Sequence, residues 1–79
     1  MTRTSALAYA KRLATEKGLK LSRGQKLYKN AQGKAIKCEV VYGLEEEDYD
    51  IIVARPIPHK RDYVVSEYVN GVFTEWLGV

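Results

Sequence analysis

The dipeptide Asn70-Gly71 constrains the fold of this chain more than any other feature, because alternating apolar and polar residues flank it on both sides. Asparagine and glycine readily adopt the two positive φ angles that a type I′ turn requires. A two-residue turn also fixes the register of the strands that it joins. The sequence therefore predicts a β-hairpin in which Val69 faces Val72.

Alternation alone does not decide which face of this hairpin is buried, because both faces are partly apolar. One face would carry Val65, Val69, Val72 and Trp76, and the other Val64, Tyr68, Phe73 and Leu77. Tryptophan is enriched at interfaces and at binding hot spots. We therefore expect the face of Tyr68, Phe73 and Leu77 to join the core, and Trp76 to point outward to a partner.

A helix is predicted at the N-terminal end, over about residues 4–17, where apolar residues recur at helical spacing. Thr4 or Ser5 is suited to cap its first turn, and Gly18 is suited to end it in a left-handed conformation. The side of this helix expected to face the core carries Ala6, Leu7, Tyr9, Ala10, Leu13 and Ala14.

Two further segments, "KAIKCEVVY" and "DYDIIVAR", alternate with a period of two and predict an antiparallel pair of strands. Placing Tyr42 opposite Tyr49 also sets Val40 opposite Ile51 and Cys38 opposite Val53, so that all of these residues share one face. A turn over residues 30–33 adds a short strand upstream. It sets Leu27 opposite Ile36, Lys26 opposite Lys37 and Lys29 opposite Lys34.

One helix followed by these strands predicts an α+β fold, in which the N-terminal helix packs on an antiparallel meander sheet of about five strands. Residues 1–79 would form a single domain. A helix of about 14 residues is about 21 Å long and covers one face of such a sheet. We expect the other face to be an apolar interface, unless the sheet curls into a small barrel. That face would carry Tyr28, Val41, Ile52 and Ala54.

Charge is divided unevenly along the chain, although the net charge is only +3. Residues 1–37 contain ten lysines or arginines and one glutamate, +9, whereas residues 38–79 contain three basic and nine acidic residues, −6. The two halves either neutralise each other within one compact domain or leave a basic face that acts on a partner.

Lysines beside an aromatic residue are what a protein uses to follow phosphates and stack on bases. We expect Lys26 and Lys37 to lie beside Tyr28 on the open face. The alternative is a solvated lysine-rich surface that prevents aggregation through strand edges. The candidate residues for binding a partner or nucleic acid are Lys26, Tyr28, Lys29, Lys34, Lys37, His59, Lys60, Arg61 and Trp76.

Catalysis and metal binding have little support in the sequence. His59 is the one histidine, and no serine or cysteine is placed for it to activate. The acidic run at 45–48 lacks the spaced ligands and central glycine of a calcium loop. We therefore expect a chain that is not an enzyme and has no cofactor and no metal.

The single cysteine, Cys38, cannot form an internal disulfide, and its place among alternating apolar residues predicts a buried, inert thiol. No apolar run is long enough for a membrane span or a signal peptide. We therefore expect a cytoplasmic protein without membrane contact. A chain of this size buries only about 60% of its unfolded surface, and this small size together with the open sheet face favours a homodimer.

Residues 8–21, "AYAKRLATEKGLKL", resemble a short helical motif in the C-terminal regions of some bacterial DNA topoisomerases, in which a Tyr-Ala-x-x-Leu-Ala helix ends at a glycine followed by a leucine. Ser22 stands where that motif usually has a proline, and no catalytic residue is carried over. In overall type, the chain is also similar to small phage or mobile-element proteins that inhibit host machinery, anti-CRISPR proteins among them.

These observations favour a small non-enzymatic protein that modulates or inhibits a nucleic-acid-handling complex by contacting the protein or nucleoprotein directly. The basic N-terminal half and the open sheet face would provide the contacts. The alternative is a nucleic-acid-binding module of weak sequence specificity that uses the basic half alone.

Overall fold

The computed structural model describes residues 1–22, 28–30, 32–44, 47–56 and 61–78. These residues form a helix, α1 (Arg3–Lys17), and the strands β1 (Lys20–Ser22), β2 (Tyr28–Lys29), β3 (Ala35–Ile36), β4 (Cys38–Leu44), β5 (Glu47–Ala54), β6 (Val64–Val69) and β7 (Val72–Gly78). Five strands form an antiparallel sheet in the order β1-β4-β5-β6-β7, and β2 pairs with β3 separately. The predicted α+β fold, with the N-terminal helix on a five-stranded sheet, is confirmed.

Capping hydrogen bonds set the two ends of α1. The side-chain hydroxyl of Thr2 accepts a hydrogen bond from the backbone N–H of Ser5 at 3.2 Å, so the cap lies before either residue that the sequence predicts. Gly18 ends the helix with a φ of 71°, and its backbone N–H donates to carbonyls of the last turn, as predicted. No helix among the described residues is long and apolar enough to cross a membrane.

The first core lies between α1 and the sheet. Ala6, Ala10 and Ala14 are buried on the helix, and their small side chains let α1 lie close against the strands. The predicted apolar side of the helix is confirmed. The sheet supplies Ile51, Val53 and Val65, with Val40, Tyr42, Tyr49 and Leu77 packed around them.

A second core fills the opposite face of the sheet, which corrects the prediction of an open apolar face. The hairpin of β2 and β3 contributes Tyr28 and Ile36, which are paired and so point to the same side. Tyr28 is only 1% exposed and is therefore a core residue, not the surface residue that the sequence predicts. Beneath the hairpin lie Val41, Ile52, Ala54 and Tyr68, with Cys38 and Phe73 at the margin.

Irregularities shift the predicted register of β4 and β5. Tyr42 lies opposite Ile51 instead of Tyr49, which keeps both residues on the helix side. Cys38 lies opposite Ala54, and a shift between Cys38 and Val40 moves the cysteine to the second core. Its thiol is half-buried, and burial raises its pKa to about 12, which keeps it in the poorly reactive neutral form.

The hairpin of β2 and β3 is also paired differently from the prediction. Tyr28 lies opposite Ile36, where the sequence predicts Leu27, a residue outside the described parts of the chain. Lys29 lies opposite Ala35, so the predicted pairing of Lys29 with Lys34 is wrong. The predicted pairing of Lys26 with Lys37 involves a residue outside the described ranges.

The predicted turn of the last hairpin is confirmed. Asn70 and Gly71 have φ angles of 53° and 75°, and Val69 pairs with Val72. The strand beyond the turn is less regular than the alternation predicts, because register shifts leave Thr74 and Leu77 as extra residues in β7.

These two bulges redistribute the side chains of β7 between the faces of the sheet. Trp76 lies opposite Ser66 and contacts the Phe73 ring at a centroid distance of 4.7 Å, so it follows Tyr68 and Phe73 and not the valines. It is still 43% exposed, as predicted. Leu77 packs against the first core, so the residues predicted to share one buried face are divided between the two cores.

Glu67 makes the stability of this sheet depend on pH. Its carboxylate accepts hydrogen bonds from the hydroxyls of Tyr49 and Thr74, each at 2.7 Å. These bonds, the one from Tyr49 foremost, hold the pKa of Glu67 below its ordinary value. A carboxyl group whose pKa is lower in the folded than in the unfolded chain stabilises the fold above its ordinary pKa, and this contribution is lost as the pH falls through the folded value.

We therefore expect wild-type protein to lose stability more steeply than the Glu67→Gln variant as the pH falls below the ordinary glutamate pKa of 4.5. Urea unfolding at a series of pH values measures the difference, and Glu16→Gln, at an exposed position of α1, serves as the matched control. Identical pH profiles for wild type and Glu67→Gln would contradict the role given to the Tyr49 hydrogen bond.

Candidate anion-binding groove

A groove of about 530 Å³ opens between the β2–β3 hairpin and the adjacent ends of β4 and β5. Among the described residues, three exposed cations line it: Lys34, Lys37 and Arg55. Lys34 and Lys37 are among the residues that the sequence predicts for binding. Lys34 lies in the turn of the hairpin, and Lys37 directly follows β3. Arg55 comes from the end of β5, so the groove collects charge from two separate parts of the chain.

The sheet ladder brings Lys37 and Arg55 together. Cys38 pairs with Ala54 in the antiparallel β4–β5 ladder. Lys37 directly precedes β4 and Arg55 directly follows β5, so these two residues come next at that end of the ladder. Like charges placed opposite each other across a ladder reduce stability. An anion bound between the two residues would reverse that unfavourable interaction.

Glu39 is the one acidic residue among the described lining residues, and both of its carboxylate oxygens have partners. Arg3 donates from Nε to Oε2 at 2.6 Å, and the Tyr63 hydroxyl donates to Oε1 at 2.8 Å. These bonds, the one from Arg3 foremost, hold the pKa of Glu39 below its ordinary value. Because Arg3 offsets the charge of Glu39, the three lining cations give the groove a net positive charge.

Tyr63 also positions Arg55. The guanidinium carbon of Arg55 lies 5.0 Å from the centre of the Tyr63 ring, the geometry of a cation–π contact. Tyr63 is 3% exposed and belongs to the first core, so its ring is a fixed support. The same side chain therefore holds Glu39 by its hydroxyl and Arg55 by its face.

A tight turn shapes the hairpin wall of the groove. The Asn30 side-chain carbonyl accepts hydrogen bonds from the backbone N–H groups of Gln32 and Lys34, each at 2.9 Å. The backbone N–H of Asn30 donates to the Lys34 carbonyl at 2.8 Å, and Gly33 has the positive φ, 80°, that closes the turn. Lys34 is thereby held at the rim of the groove.

The predicted binding residues do not all meet at this groove. Lys29 is exposed on β2, Arg61 is exposed before β6, and Trp76 is exposed on β7, all of them outside the groove lining. Tyr28 is buried beneath the hairpin, and its hydroxyl donates to the Asp50 carboxylate at 2.7 Å. Lys26, His59 and Lys60 lie outside the described residues.

Sequence reasoning missed two residues that line the groove, Arg55 and Glu39, and Tyr63, which contacts both of them from outside the lining. The predicted register sets Cys38 opposite Val53, which would leave Arg55 one step beyond the position opposite Lys37. The two register shifts in the β4–β5 ladder, one between Gly43 and Leu44 and one between Cys38 and Val40, together close that gap. The only signal in the sequence was the end of the alternating pattern at Arg55, where Pro56 follows.

Groups of three or more histidine, cysteine, aspartate or glutamate side chains that would hold a metal ion do not occur in the described part of the chain. No family model, curated protein or solved structure matches this sequence or fold. The chemistry of the groove is therefore the basis on which a function is proposed.

Proposed function

We propose that this chain is a non-enzymatic binding protein of the cytoplasm that modulates or inhibits a nucleic-acid-handling complex by contacting it directly. The basic groove makes the contact, with the phosphate backbone of the nucleic acid as its anionic partner. The observation that carries this proposal is the convergence of Lys34, Lys37 and Arg55 on one groove whose acidic residue is already paired with Arg3.

The three cations suit phosphate for different reasons. Arginine presents a planar fork of donors that matches two phosphate oxygens, and the Tyr63 ring restricts the motion of Arg55. Lysine provides a flexible point charge with three donors. A site that combines both types binds successive phosphates along a strand without reading their sequence.

Reversing two of these charges is expected to weaken nucleic-acid binding strongly. The Lys34→Glu, Lys37→Glu double variant should lower the affinity by at least about tenfold at low salt and reduce the slope of log affinity against log salt by about 1.4 to 1.8. Both residues are exposed, so the fold should be retained. Fluorescence anisotropy with a labelled oligonucleotide between about 50 and 200 mM salt measures both quantities.

The matched control is Lys11→Glu, Lys20→Glu, which makes the same change in net charge at two exposed residues outside the groove lining. It should leave most of the salt slope in place. An equal loss in both double variants would show that net charge, and not the groove, governs binding.

The modulating role needs a separate test, since nucleic-acid binding alone does not establish it. Affinity capture from the native host, with and without nuclease, distinguishes a complex held through nucleic acid from one held through protein. Capture that survives nuclease in wild-type protein but is lost in Trp76→Ala would place the contact on β7, where this side chain is exposed. A failure to capture any nucleoprotein complex would end the proposal of a modulator.

The predicted homodimer keeps one of its two supports. The small size of the chain still favours it. The open apolar sheet face does not, because the β2–β3 hairpin covers that face. Light scattering tests the proposal, and a mass of 9.0 kDa would identify a monomer.

A further inference from the structure

The groove has an apolar part beside its cations. Ala35, Ile36 and Pro56 line it together with the charged residues. Ile36 packs against the second core, so its position is set by the fold. A bare inorganic anion would not cover this apolar surface, which would stay in contact with water.

The size of the groove also exceeds what a phosphate group needs. Sites for organic ligands usually have volumes of about 300 to 1,000 Å³, and this groove measures about 530 Å³. Its lining therefore combines the features of a site for an organic anion: cations for the charge, an apolar surface for a ring, and the exposed amide of Gln32 at the rim.

We infer that the groove receives one unpaired nucleotide of a single-stranded nucleic acid, with its phosphate against Lys34, Lys37 and Arg55 and its base on Ala35 and Pro56. This inference rests on the proposed function and specifies its ligand. The Gln32 Oε1 accepts a hydrogen bond from Asn30 Nδ2 at 3.3 Å, which leaves the Gln32 amide nitrogen to donate to the edge of the base.

A duplex cannot use the groove in this way. Its bases are stacked and paired, and releasing one requires breaking both the stacking and the pairing. A duplex therefore offers only phosphates to the cations, whereas a single strand offers phosphates and accessible bases. DNA and RNA single strands share this chemistry, and we expect both to bind.

The test compares four probes at one salt concentration by fluorescence anisotropy or competition. These are a single-stranded DNA and a single-stranded RNA of about 12 nucleotides, the DNA duplex of the same sequence, and inorganic polyphosphate, which has charges but no bases. Wild-type protein should bind both single strands at least about tenfold more tightly than the duplex or polyphosphate, because only a single strand can remove the apolar lining and the face of a base from water together.

The variant that tests the base position is Ala35→Leu, which fills the apolar part of the groove without changing charge. Ala35 is exposed, so the larger side chain need not disturb the core. Single-strand affinity should fall toward the duplex value, while duplex and polyphosphate binding stay unchanged. Ala8→Leu, on the exposed side of α1, is the matched control and should leave all four affinities unchanged.

Each result separates this inference from the proposed function. Equal binding of all four probes, lost in the Lys34→Glu, Lys37→Glu variant, would overturn the inference and leave the phosphate-binding groove standing. If Ala35→Leu does not reduce the preference for single strands, the base does not bind in the groove. Absence of binding to every probe would overturn the proposed function itself. The wild-type comparison needs no variant to fold.

Discussion

Replacing Tyr28 with alanine is expected to lower the free energy of unfolding by about 3–5 kcal/mol, the usual cost of removing a buried aromatic side chain. Tyr28 is 1% exposed and covers the second core, where its ring meets the Tyr68 ring edge-on at 5.0 Å. A domain of this size has a total stability of about 4–12 kcal/mol. The loss would therefore remove a substantial fraction of the total stability.

Tyr28→Phe separates the contribution of the ring from that of the hydroxyl. The hydroxyl donates to the carboxylate of Asp50, which is 2% exposed, so its removal leaves a buried charge with one fewer donor. We expect a cost of about 1.5–3 kcal/mol, as for other hydrogen bonds to charged groups. Urea denaturation of both variants measures these values, and equal costs would contradict the importance of the ring.

The same substitutions are expected to affect the groove, because the β2–β3 hairpin is one of its walls. Each strand of this hairpin has two residues, and an isolated two-stranded hairpin is marginally stable in water. Tyr28 and Ile36 hold it to the sheet, together with the Tyr68 hydroxyl, which donates to the Lys29 carbonyl. Faster hydrogen exchange at β2 and β3 in Tyr28→Phe, with β5 still protected, would report this loosening.

The elements that sequence reasoning predicted well are those fixed by local chemistry. The Asn70-Gly71 turn needs two positive φ angles, and those residues supply them wherever the chain lies. The end of α1 at Gly18 has the same local basis. Helical spacing also identified the buried alanines, because only one side of α1 is apolar.

The second core was not predicted because it is formed by contacts between residues that are distant in sequence. Nothing near Tyr28 in the sequence indicates that the hairpin folds back over the sheet, and a tyrosine among lysines is equally suited to an exposed surface. The bulges in β7 likewise leave no trace in its alternation, yet they move Trp76 to the other face.

The groove was predictable only in part, for the same reason. Its lysines belong to the basic half of the chain and were expected to bind. Its arginine belongs to the acidic half, and the two meet through a register that an irregularity in β4 sets. Charge counts along the sequence therefore indicated a basic surface but could not locate it.

Replacing Gly43 with alanine is expected to destabilise the protein by about 3 kcal/mol, the upper part of the range for overpacking a core. A Cβ atom added there would lie 2.1 Å from Oδ1 of Asp50 and 3.1 Å from the Tyr49 carbonyl oxygen. Asp50 is buried and bonded to Tyr28, so its side chain has no low-cost way to move aside.

A double-mutant cycle identifies the cause of this loss. In the Asp50→Ala background the side-chain clash is absent, so Gly43→Ala should cost less than in wild type by about 1–3 kcal/mol, within the range for residues in direct contact. Urea denaturation of the four proteins gives the coupling free energy. Additive costs would mean that the Tyr49 carbonyl, and not the Asp50 carboxylate, makes glycine necessary at this position. A strong coupling would instead establish that the Asp50 side chain, which accepts the Tyr28 hydrogen bond, makes glycine necessary at position 43.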